Sequence, residues 1–66
     1  MRNFRNCVLE NGNAVTFGWV RENLVQENKP LIIDGDLWVI KSSGPPLSLV
    51  DVLEQDEQRI FTNVKI

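Results

Sequence analysis

The stretch LIIDGDLWVIK, Leu31 to Lys41, decides the fold. Its Asp34-Gly35 pair stands between two strand-like runs, a strong short-range signal for a tight hairpin. The pairing sets Leu31 opposite Trp38 and Ile32 opposite Leu37. Because successive strand side chains alternate, one face then carries Leu31, Ile33, Trp38 and Ile40, and the other Pro30, Ile32, Leu37 and Val39. Neither face is polar, so cover is expected on both sides, with some apolar surface left for a partner.

Upstream, Asn11-Gly12 gives a second turn signal between strand-like flanks. A two-residue loop there sets Val8 opposite Val15, Asn6 opposite Phe17 and Phe4 opposite Trp19. Phe4, Val8, Val15, Phe17 and Trp19 then share one face, read as core, and Arg5, Cys7, Leu9, Ala14, Thr16 and Gly18 form a mixed face that water can wet. The connector RENLVQENK (21–29) is polar and turn-rich, and SSGPP (42–46) is a loop because its prolines and glycine cannot sustain a ladder. In LSLVDVLEQDEQRIF (47–61), Ser48 followed by Asp51 makes a loose capping box, and Leu49, Val52, Leu53 and Ile60 fall at helical spacing. A helix within 48–60 is the preferred reading, with a strand through Leu47–Leu53 as its rival. IFTNVKI (60–66) reads as a last short strand. The whole predicts a single mainly β domain over 1–66: a small SH3-like barrel or curled antiparallel sheet of about five strands with one short C-terminal helix.

Sixty-six residues bury only about 60% of the surface that their unfolded chain exposes, so a chain of this length gains from association. A lone cysteine, Cys7, and no histidine exclude a disulfide within the chain and a Cys/His metal site. The unpaired cysteine points to a reducing compartment, and a cytoplasmic protein is expected. No apolar run approaches the roughly 20 residues that span a bilayer. Seven basic and nine acidic residues give a net charge of −2, without the bulk attraction that drives non-specific binding to nucleic acid.

Catalysis is disfavoured by the same composition: without histidine or tyrosine the usual general base and several electrophilic helpers are missing. Cys7 has only Arg5 near it in sequence and reads as a packed strand residue, and Asp34 and Asp36 serve turn conformation and solubility before any acid–base role. No cofactor is expected. Partner binding is therefore assigned to the apolar hairpin face Leu31, Trp38 and Ile40, with tryptophan the residue type most favoured at interface centres. A second candidate is the acidic surface Asp51, Glu54, Asp56 and Glu57, which suits a basic partner. The alternative, nucleic acid, would use Arg21, Lys29 and Lys41 beside Trp19 and Trp38.

The order WVRE (19–22) and then LVQENKPLIIDGDLWVIK (24–41) resembles short bacteriophage proteins of SH3-like appearance, and its middle is similar to the KOW-type SH3-like barrels of translation and transcription factors. The resemblance covers about residues 15–41 and rests on apolar spacing with Trp19 and Trp38. It departs at Asn28, where such patterns usually place glycine, and asparagine also tolerates a left-handed backbone. It departs further in the acidic LVDVLEQDEQR (49–59), which has no counterpart in a basic KOW module. The resemblance implies a small β module, and the acidic departure turns the expectation toward a protein partner: a phage-encoded modulator or inhibitor of a host protein, with a heterologous target or a second copy in a homo-oligomer completing one hairpin face. A nucleic-acid-binding SH3-like domain and an accessory virion or assembly component are the alternatives.

Overall fold

The computed structural model describes residues 3–55 and 59–65. Four long strands come first in the chain: β1 (Asn3–Asn11), β2 (Ala14–Arg21), β3 (Pro30–Ile33) and β4 (Asp36–Ser43). A single 3-10 turn, Glu22–Leu24, leads from β2 toward β3. Two-residue strands β5 (Leu47–Ser48) and β6 (Val64–Lys65) flank a short helix, α1 (Leu49–Leu53). The sheet runs β2-β1-β4-β3-β6, every one of these pairings antiparallel, with β5 on the N-terminal end of β1. The chain is thus a mainly β protein, an antiparallel sheet curled into a half-barrel, with one short helix toward the C-terminus.

Both hairpins form, by different turns. At the second, Ile33 pairs with Asp36, and Asp34 (φ +52°) and Gly35 (φ +88°) are the two central residues. Positive φ at both is the type I′ requirement, and the expected register of Leu31 on Trp38 and Ile32 on Leu37 holds. At the first, Asn11 pairs with Ala14, so the central residues are Gly12 (φ +61°) and Asn13. Positive φ at the first central position alone is the type II′ pattern. The loop therefore sits one residue later than Asn11-Gly12, and each partner moves by two: Val8 faces Phe17 and Asn6 faces Trp19.

The face assignment of that hairpin is corrected. Cys7 and Leu9, from the side expected to be wet, join Val20, Leu31, Ile33 and Ile40 in the main core. Val15 and Phe17, from the side expected to be core, are each 64% exposed. The reason lies in β1, which pairs with β2 on one side and β4 on the other, so the curl of the sheet decides which face is enclosed. The concave side takes Cys7, Leu9, Val20 and Ile40, and Phe17, on the other parity, stays outside. Phe4 and Trp19 also point outward, yet they are buried because Val52 of α1 covers them in a second, smaller core.

Two further boundaries differ from expectation. β4 continues through Ser42 and Ser43, since a bulge opposite Val8 and Leu9 skips Lys41 and restores pairing beyond it. The helix is shorter than 48–60. Ser48 caps it as expected, its Oγ accepting the Asp51 N–H at 3.3 Å, but it ends at Leu53, and of the proposed stripe only Val52 is fully buried. Ile60 instead forms a parallel bridge with Trp19.

Residues 59–65 close the seam of the half-barrel. The Trp19 amide donates to the Arg59 carbonyl at 2.7 Å and the Phe61 amide to the Trp19 carbonyl at 3.0 Å, on the edge of β2. A few residues on, β6 pairs with β3 and the Asp34 amide donates to the Asn63 carbonyl at 3.0 Å. One short segment thus touches both edges of the four long strands.

Candidate functional site

The hairpin face expected to bind a partner is mostly interior. Leu31 and Ile40 are 3% and 0% exposed and belong to the main core, so neither is available to a partner in this fold. The physical reason is the curl again: that face is the concave one. Trp38 is half-buried, packed against the core on one side and lining a small cleft on the other. The uncovered surface is the opposite face of the same hairpin, where Ile32 and Leu37 are exposed and directly paired.

Register makes that outer face continuous across four strands. Val15 pairs with Glu10, Glu10 with Val39, and Val39 with Pro30, while Phe17 pairs with Val8 and Val8 with Ser42. Among these outward-facing positions Glu10 alone is charged. At one end of this face lies an open groove of about 620 Å³. Val8, Phe17 and Trp19 of the sheet form one wall, and Pro45 and Leu47 of the segment entering α1 form the other. Asn6 and Gln55 supply polar groups at the groove, and among the described residues no charged side chain lines it. The wall opposite the sheet is held by backbone and side-chain bonds, the Gly44 amide to the Asn6 carbonyl at 2.9 Å and Arg5 Nη1 to the Gly44 carbonyl at 2.9 Å. Arg5 is itself fixed by its ion pair with Glu22, at 3.1 Å.

Of the acidic candidates, Asp51 and Glu54 are exposed on and just after α1, and the Asp51 carboxylate accepts the Ser48 hydroxyl at 3.0 Å. Asp56 and Glu57 lie outside the described residues. Of the basic candidates, Lys29 and Lys41 flank Ile40, since the Ile40 amide donates to the Lys29 carbonyl. Arg21 lies on β2, two strands from β4, so the three do not make one stripe. Cys7 is fully buried; burial pushes its thiol up to about 11, against the smaller opposing pull of Arg5. A protonated thiol at neutral pH is a poor nucleophile. Among the described residues no group of three metal-binding side chains converges, and no helix is long and apolar enough to cross a membrane.

In the sequence Val8, Phe17 and Trp19 share a face that reads as buried core, and nothing marks Pro45 and Leu47 as their opposite wall. The signal was present in Cys7, Leu9 and Val20, a compact aliphatic set on the other parity that suits the inside of a curl. Compared with models of known protein families, with curated protein sequences and with solved structures, the chain matches none.

Proposed function

We propose that this chain is a non-catalytic interaction module that holds an apolar segment of a protein partner in the groove formed by Val8, Phe17, Trp19, Pro45 and Leu47. The observation that carries this reading is Phe17: a large aromatic, 64% exposed, on the wall of an open apolar groove and next to an outer sheet face with little charge. Aromatic side chains in such settings dominate interface energies. Curvature favours a heterologous partner over a second copy. Two convex faces share less area than two flat ones, whereas an extended or helical segment can lie along the groove. The acidic Asp51 and Glu54 on α1 and just after it would favour basic flanks on that segment. The resemblance to short bacteriophage proteins directs the search for the partner to bacterial host proteins.

The test begins with a photo-crosslinking residue at position 17 in host extract and proceeds to affinity measurement with the captured protein. Phe17→Ala, with its fold verified by circular dichroism, is expected to weaken binding about tenfold or more. Unchanged affinity would sink the groove as the site. Salt-sensitive binding to single-stranded nucleic acid that disappears in an Arg21/Lys29/Lys41 triple alanine variant would favour the alternative reading instead.

A further inference from the structure

At the other end of the sheet the half-barrel has an open mouth, a place where β-barrels commonly hold ligands. A cleft of about 220 Å³ lies there, lined by Thr16, Ile33 and Trp38 from the inner face, Asp34 and Asp36 from the β3–β4 turn, and Arg59 and Phe61 from the closing segment. Arg59 is held in place twice over: its Nη1 donates to Thr16 Oγ1 at 2.9 Å, and its guanidinium lies 5.6 Å from the centre of the Phe61 ring. Those contacts engage one of the five N–H donors of the guanidinium. The one ion pair among the described residues is Arg5 with Glu22. Among the described residues, then, Arg59 and the two aspartates line one cleft without a direct ion pair between them.

We propose that this mouth binds a small zwitterion of amino-acid size, its carboxylate on Arg59 guanidinium donors not used by Thr16 and its ammonium on Asp34 and Asp36. A simple anion meets two carboxylates there and a simple cation meets a guanidinium; a ligand bearing both charges satisfies both walls. The volume is below the roughly 300 Å³ at which pockets for drug-sized molecules begin, which suits a free amino acid better than a nucleotide or a folded peptide. Half-buried Trp38 and buried Ile33 offer an apolar floor, so an aliphatic amino acid fits better than glycine. The site is separate from the outer groove and stands or falls independently of it.

Titration of the 66-residue chain, labelled with nitrogen-15, with leucine, N-acetylleucine and leucinamide tests the proposal. Leucine is expected to shift the Trp38 indole and the Gly35 and Asp36 amide resonances with a dissociation constant of about 10 mM or tighter, the range for nine non-hydrogen atoms at ordinary ligand efficiency. N-acetylleucine, without the cation, and leucinamide, without the anion, are expected to bind at least about fivefold more weakly, each having lost one charge-assisted contact. Asp36→Asn, an exposed and isosteric change, should weaken leucine by a similar factor with the spectrum otherwise intact, and Arg59→Gln should do the same where its spectrum shows the closing segment still docked. No shift at these positions overturns the proposal. Equal binding of all three ligands, or of leucinamide and leucine, overturns it too, because the cleft would then be an apolar or a cation site.

Discussion

Burial of Cys7 makes one side chain a reporter of the whole core. Its thiol is pushed from an ordinary value near 9 up to about 11 by loss of water, while the Sγ–H donates weakly to the Arg5 carbonyl at 3.4 Å. Because the folded state holds this proton more tightly than the unfolded one, the associated stability is fully present below about pH 9 and is lost as the pH rises through about 11. The expected loss is on the order of 2 to 3 kcal/mol. The absence of tyrosine removes one competing alkaline titration. Urea unfolding at pH 8 and pH 11 should show the wild type losing more stability than Cys7→Ser; parallel losses would show that the thiol is not responsible. Asn28 is a second residue whose setting was legible: it stands at φ +63°, the left-handed conformation that its side chain tolerates where glycine is usual.

At the scale of elements, the two hairpins show what a turn signal contains. Asp34 and Gly35 both take positive φ, so the dipeptide is the loop and the register follows from it. Around a Cβ built on Gly35 the space is open, so Gly35→Val meets no steric neighbour and its cost is backbone strain alone. A loss of roughly 1–3 kcal/mol in unfolding free energy is expected, and a negligible loss would contradict the type I′ geometry. Asn11-Gly12 located its hairpin equally well but not the centre, because a type II′ turn wants glycine first and so uses Gly12-Asn13. Parity survived that slip, since moving a two-residue loop by one moves partners by two. What parity could not supply was the direction of curl, and so Phe17 and Val8 were recognised as a shared face but placed inside. Leu31 and Ile40, named for a partner, lie inside for the same reason: two apolar faces are legible, but which one is concave depends on pairing between β1 and β4, far apart in sequence. The start of α1 was readable because Ser48 caps locally; its end was not, since Ile60 is drawn away to Trp19.

The whole molecule is closed at Gly18. A Cβ there would stand 2.5 Å from Phe61 Cε2, 2.8 Å from its Cζ and 2.9 Å from the Arg59 carbonyl oxygen. The ring has some freedom to move, but the carbonyl accepts the Trp19 amide and is fixed. Gly18→Ala should therefore cost roughly 1–3 kcal/mol and displace residues 59–61 from β2, seen as loss of the Phe61 amide bond to Trp19 in hydrogen exchange; an unchanged exchange pattern would show that the seam adapts. The closing segment also guards against a hazard peculiar to curled sheets. It seals β2 at one edge and β3 at the other, so a molecule that releases it uncovers two strand edges at once, facing different directions. One bare edge can be satisfied by a single pairing that stops at a dimer. Two edges on one molecule allow each copy to recruit the next, and the product is an open chain of molecules that grows without an end point.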